Sequence, residues 1–139
     1  MRYNTIRFEK TEAYAAGHSY VGAKILIDDQ NFLDVITKIE LSYDKQAAGD
    51  YAYQSAEWLH QQLVGDKVGE VALFTCTCGI DGCESFCAEV YQESNVVIWC
   101  NFHNINREHW DYSVLGELHF EKQQYNIEIK KLKTLFQFE

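Results

Sequence analysis

Glu70-Val71-Ala72-Leu73-Phe74-Thr75-Cys76-Thr77-Cys78, Ser85-Phe86-Cys87-Ala88-Glu89-Val90-Tyr91 and Val96-Val97-Ile98-Trp99-Cys100-Asn101-Phe102 are three apolar runs rich in β-branched and aromatic residues. Gly79 to Glu84 separates the first pair, and the polar Gln92-Glu93-Ser94-Asn95 separates the second. Runs of this composition bounded by turn residues read as strands, and connections this short join antiparallel neighbours. The middle of the chain is therefore expected to be an antiparallel meander. A turn centred on Glu93-Ser94 sets Cys87 directly opposite Cys100, close enough for a cross-strand disulfide in an oxidising setting.

Upstream of the meander, Tyr3 to Glu9 alternates polar and apolar residues and predicts a half-buried strand, with Lys24 to Ile27 as a second. From Asn31 the spacing changes to Phe32, Leu33, Ile36, Ile39 and Tyr43, one face of a helix capped by Asp29 or Asn31 and ending near Ala47-Ala48-Gly49. Asp50 is placed to cap a second helix through Ala52, Ala56, Leu59 and Leu63, stopped by Gly65-Asp66, with Trp58 beside its apolar stripe. Downstream, Leu118 to Phe120 adds a short strand. Tyr125, Ile129, Leu132 and Phe136 then mark a last helix whose other face carries Lys130, Lys131 and Lys133, cations that suit the helix dipole. The sum is one α+β domain over residues 1–139, an antiparallel sheet packed on one side by about three helices.

The composition agrees with a packed core: 47% hydrophobic and 14% aromatic, in 139 residues without a single proline. A chain of that length buries about two-thirds of its unfolded surface. Acidic residues outnumber basic ones 21 to 12, for a net charge of −9. That field repels phosphate backbones and anionic lipid and favours a cationic protein partner. Met1 to Tyr20 contains charged residues throughout and no continuous apolar run, so neither a signal peptide nor a membrane span is expected and the cytosol is the expected compartment.

Five cysteines crowd into positions 76 to 100, an odd number suited to reduced thiols or a metal site rather than a secreted disulfide framework. Cys76 and Cys78 point to one face of their strand, and the Gly79-Ile80-Asp81-Gly82 turn returns Cys83 towards them. Three sulfur ligands with Cys87, Cys100 or His103 as a fourth would make a structural zinc site. Paired Cys-x-x-Cys knuckles are absent, and the competing reading takes the cysteines as small apolar side chains in a sheet interior. A Cys83 nucleophile with His103 or His109 can be drawn, although no spacing requires it.

Asn101 to Tyr112 is the second dense segment, mixing Phe102, Trp110, Tyr112, Arg107 and two histidines just after a strand. Trp, Tyr and Arg supply much of the anchoring energy at interfaces. The alternative is that Trp110 and Tyr112 close one end of the core while Arg107 pairs with a carboxylate. Acidic pairs such as Asp28-Asp29 and Glu117 with Glu121 carry no motif of a glycosidase or a magnesium site.

Ala48-Gly49-Asp50-Tyr51, Cys76-Thr77-Cys78-Gly79 with Gly82-Cys83, Val97-Ile98-Trp99, Phe102, Arg107, Trp110-Asp111-Tyr112, Leu115-Gly116, Phe120 and Gln124-Tyr125 together resemble a small uncharacterised bacterial domain family over roughly positions 30 to 132. Where relatives carry Trp or Pro after the Gly-Cys pair and Pro ahead of the Arg, this chain has Glu84-Ser85 and Asn106. The resemblance implies a shared fold and a shared cysteine turn, with no activity attached.

The expected function is that of a non-enzymatic protein-binding module, most concretely an immunity protein neutralising a cationic toxin. Its expected contacts are Asp28, Asp29, Asp44, Asp50, Trp58, Arg107 and Trp110, and no cofactor is required. The alternative is a zinc-binding or thiol-dependent protein centred on Cys76, Cys78 and Cys83.

Overall fold

Ala16 and Gly17 both take positive φ (54° and 79°), the two-residue turn whose twist suits a β-hairpin. They join β1 (Ile6–Ala15) to β2 (His18–Ile27), paired in continuous register from Ile6 opposite Ile27 to Ala15 opposite His18. The computed structural model describes residues 2–78 and 84–135. The hairpin is longer than the two strands read from the sequence, because its outer half is polar and hides the alternation. A second turn with both residues at positive φ, Asp28-Asp29, folds β3 (Gln30–Asn31) back onto β2 and completes a three-stranded sheet.

Asn31 ends that sheet and starts α1 (Phe32–Glu40), its side-chain oxygen accepting from the Leu33 N–H at 3.0 Å. The second helix does not begin at Asp50 as the sequence suggested. Residues 52 and 53 form β4 (Ala52–Tyr53) on the edge of the second sheet, and Ser55 caps α2 (Ala56–Leu63), accepting from the Trp58 N–H at 3.0 Å. Pairing of Ala52 with Thr75 and Tyr53 with Phe74 outweighs the helical spacing there.

The expected meander is present: β5 (Gly69–Thr75), β6 (Phe86–Gln92), β7 (Val96–Asn104) and β8 (Leu118–Glu121) follow β4 in spatial order, all antiparallel. α3 (Lys122–Leu135) leaves β8 directly, and Phe136 lies outside the described residues. The protein is α+β. The N-terminal strands form their own sheet rather than extending the meander.

Val71, Leu73, Phe86, Ala88, Val90, Val97 and Trp99 project from β5 to β7 into the core, where Phe32 and Ile36 of α1, Leu59 and Leu63 of α2 and Tyr125, Ile129 and Leu132 of α3 meet them. Trp99 is fully buried and its indole N–H donates to the Tyr125 hydroxyl at 3.2 Å, pinning α3 to the sheet. Truncating such a residue to Ala costs about 3–5 kcal/mol. No helix among the described residues is long and apolar enough to cross a membrane.

One register differs from the sequence reading. Glu89 faces Cys100 and Cys87 faces His103, so Cys87 and Cys100 are not partners, and both are thiols. The difference is three positions: the turn sets Gln92 opposite Val97 rather than Asn95, and Asn101, at φ 50°, adds one further residue to β7 as a bulge. A strand alternates faces with period 2, so the extra residue turns Phe102 and Asn104 inward and leaves His103 on the outer face.

Candidate functional site

Glu40, the last residue of α1, continues the buried stripe of Phe32 and Ile36 at four-residue spacing and is fully buried. A buried carboxylate is tolerated only when its oxygens are satisfied. Its Oε1 accepts from the Gly49 N–H at 2.8 Å, and its Oε2 accepts from the Tyr51 hydroxyl at 2.6 Å and from the Tyr112 hydroxyl. Gly49 has φ +68°, and a Cβ there would lie 2.2 Å from Thr37 Oγ1, so only glycine brings this N–H to the carboxylate. Burial, then the hydrogen bond to Glu40, pushes both tyrosines well above their ordinary range and keeps them as donors.

The network continues outward. Tyr51 accepts from Asn104 Nδ2 at 2.8 Å, and Asn104 Oδ1 takes the Asn106 N–H at 2.9 Å. Arg107 pairs through Nε with Glu84 and lies 4.6 Å from the centre of the Trp110 ring. Its hydrogen bond to Glu84 raises the Arg107 pKa further. Tyr43 stacks on Trp110 with ring centres 5.6 Å apart, and its hydroxyl accepts the Asp111 N–H at 3.0 Å. The connection between β7 and β8 therefore has no sheet or long helix of its own, only the 3₁₀ turn Ser113–Leu115, yet its side chains tie it to the core.

This segment forms one wall of a cleft of about 500 Å³, with Phe102, Trp110 and Tyr112 among its lining and Glu108, Asp111 and Glu117 exposed along it. The Asp111 carboxylate accepts the Ser113 N–H at 2.8 Å, which lowers its pKa and holds it anionic. An aromatic lining bordered by carboxylates suits the alkyl stem and charged head of Lys or Arg.

The partner-binding candidates are dispersed. Asp28 and Asp29 serve their own turn: Asp28 accepts from the Thr5 N–H at 2.9 Å and the Asn4 amide at 2.8 Å, while Asp29 pairs with Arg7 at 3.0 Å. Asp44 accepts the N–H groups of Gln46 and Ala47, which hold its carboxyl below the usual range, and it lies near enough to Arg107 to feel its charge. Asp50 is exposed ahead of β4. Trp58 is half-buried on α2, packed against the core. Trp110 is buried, and with Arg107 and Asp44 it gathers around the cleft segment; Asp28 and Asp29 belong to the β2–β3 turn.

Of the metal candidates, Cys83 lies outside the described residues. Cys76 and Cys78 are half-buried after β5, and the Cys78 N–H points at Cys76 Sγ at 3.5 Å. Cys87 and His103 meet each other and Glu70 on the outer face of the sheet, their ligand atoms all within 4.8 Å of one another. Burial, then Glu70, pushes the Cys87 thiol up to about 12. Cys100 lies on the cleft, its thiol raised by burial and then by Glu117 and Glu89.

Two residues escaped the sequence reading. Glu40 carries a visible signal, an acidic residue on the apolar stripe of an amphipathic helix. Glu70 carries none, since an acidic residue on a strand's outer face is ordinary. Comparison of this chain with protein-family models, curated protein sequences and solved structures finds no significant match.

Proposed function

We propose that this protein is a binding module for a basic protein, acting in the cytosol, and most concretely an immunity protein that neutralises a cationic toxin. The observation that carries the reading is the cleft, in which the segment bearing Glu108, Asp111 and Glu117 is fastened from beneath through Tyr112 and Asn104 to the buried Glu40. A surface ordered before binding loses less conformational entropy in forming the complex. The net charge of −9 accelerates encounter with a cationic partner and orients it. The occupant fitting the cleft is a Lys- or Arg-bearing segment of that partner, its stem against Trp110 and Tyr112 and its head among the carboxylates.

The test is charge reversal. Glu108→Lys combined with Asp111→Lys and Glu117→Lys should abolish protection in cells that express the basic partner, while Glu12→Lys, on the β1–β2 hairpin, should leave it intact. Equal protection by both variants would refute the cleft as the docking surface.

A further inference from the structure

We propose that Glu70, Cys87 and His103 bind one divalent transition-metal ion of the zinc class, with a fourth position open to water. This site borders the cleft, whose lining includes His103, but does not rest on the docking role proposed for it, and it involves neither Cys76 nor Cys78. The three side chains come from the adjacent strands β5, β6 and β7, and their ligand atoms lie within 4.8 Å of one another. A tetrahedral sphere with bonds of about 2.0–2.3 Å separates its ligands by about 3.3–3.7 Å. Glu70 and His103 have exposed side chains, so small rotations close the remaining gap, while Cys87 is fixed by burial.

The orientation of the imidazole is the second observation. His103 Nδ1 lies 2.7 Å from the Asn101 carbonyl oxygen, which only accepts, so Nδ1 carries the proton. In the neutral ring, Nε2 then presents its lone pair to Glu70 Oε1 at 3.1 Å. Nε2, a carboxylate oxygen and a sulfur thus lie together, an arrangement that either a proton on Nε2 or a metal ion satisfies. A histidine whose far nitrogen donates to a backbone carbonyl is the usual orientation of a metal ligand. Asn101 both supplies that carbonyl and, as the bulge residue, sends His103 to the outer face opposite Cys87.

Sulfur, imidazole and carboxylate as a set match zinc, and three protein ligands leave one coordination position for water. On binding, the Sγ–metal bond forms, the thiol proton leaves to solvent and the ion sheds water ligands, so one proton is released per ion. The competing occupant of the same point is a proton on Nε2, which gives an exposed His103–Glu70 ion pair and no metal affinity.

The experiment titrates the full-length, chelator-stripped chain with Co²⁺, reading the thiolate-to-cobalt charge-transfer band, and with Zn²⁺ against a chromophoric chelator. One ion per chain is expected. Cys87→Ser should remove the band, and His103→Gln should weaken Zn²⁺ at least about tenfold. Cys76→Ser, Cys78→Ser and Cys100→Ser should leave both readings unchanged. Absence of stoichiometric binding by the unaltered chain, or a band that survives Cys87→Ser but not Cys76→Ser, overturns the proposal. Should circular dichroism show Cys87→Ser unfolded, His103→Gln decides alone, and unchanged affinity in it is equally fatal.

Discussion

Tyr112 donates its hydroxyl proton to the carboxylate of Glu40, 72 positions earlier in the chain, and this bond fastens the irregular β7–β8 connection to the end of α1. Tyr51 and Gly49, both in the stretch between α1 and β4, donate to the same side chain, so two segments besides α1 are held by one buried group. The order of the cleft segment is thereby made a property of the core.

Removing one partner of such a group strands the others. Glu40→Leu should cost about 3–5 kcal/mol in urea denaturation, and Tyr112→Phe about 1–3 kcal/mol. The double variant should fall well short of the sum, because the two changes remove the same bond. Simple additivity would show that the bond contributes nothing to stability.

Gly49 and Gly65 share a positive φ but differ in surroundings: a Cβ at Gly49 meets Thr37, whereas one at Gly65 meets open space. Gly65→Ala should cost about 1–2 kcal/mol from backbone strain alone. Gly49→Ala adds an overlap of about 1–3 kcal/mol and displaces the N–H from Glu40. Equal losses in thermal melts would remove the close approach from the account.

Asn101 holds φ 50°, a conformation tolerated by Asn and Gly and strained for β-branched residues. Asn101→Gly should fold with the same register, losing only the side-chain bond to Glu89. Asn101→Val should destabilise by about 1–3 kcal/mol. Deleting Asn101 should keep Phe102 inward and His103 outward, since Cys100 and Phe102 then follow one another in a regular ladder with Ala88 opposite Phe102. Nuclear Overhauser contacts between Cys87 and residue 103 report the register in each variant.

Tyr51, Tyr112 and Tyr125 all hold their protons more firmly folded than free, chiefly through burial. Above about pH 10 the unfolded chain loses those protons while the native one keeps them, so stability is complete below that pH and falls above it. Each such tyrosine adds up to about 1.4 kcal/mol per pH unit to the decline. The buried thiols of Cys87 and Cys100, also raised, start a gentler loss near pH 9. The slope above pH 10 should become shallower in Tyr51→Phe and Tyr112→Phe; an unchanged slope would contradict the assignment.

The meander and the start of α1 were legible because Phe32 and Ile36 repeat at helical spacing and the β5–β7 runs are bounded by turn residues, but α1 ends at Glu40 rather than near Ala47-Ala48-Gly49, with turns taking over from Leu41. The start of α2 was not, because the helical spacing of Ala52 and Ala56 runs across β4, and only pairing with Thr75 and Phe74 decides its conformation. The same limit hid the pairing of Cys87 with His103. The turn between β6 and β7 sets Gln92 opposite Val97, two positions from a register centred on Glu93-Ser94. Asn101 in the left-handed region shifts it by one more, and neither shift shows before the partner strand is present. Within the candidate site, Arg107, Trp110 and Tyr112 announced themselves by residue type, and the pairing of Arg107 with a carboxylate under a closed aromatic end is what the structure contains. Glu40, which bonds Tyr112, showed only as an acidic residue on the apolar stripe of α1, a position that does not reveal its partners.

The measurement that bears most directly on the binding role is native mass spectrometry of the protein isolated from its own host at low salt, run alongside the Glu108→Lys, Asp111→Lys, Glu117→Lys variant. The account predicts a stoichiometric complex with a basic protein chain that dissociates as salt is raised and is missing from the variant. A chain that is always alone, or a complex that the variant retains, would contradict it.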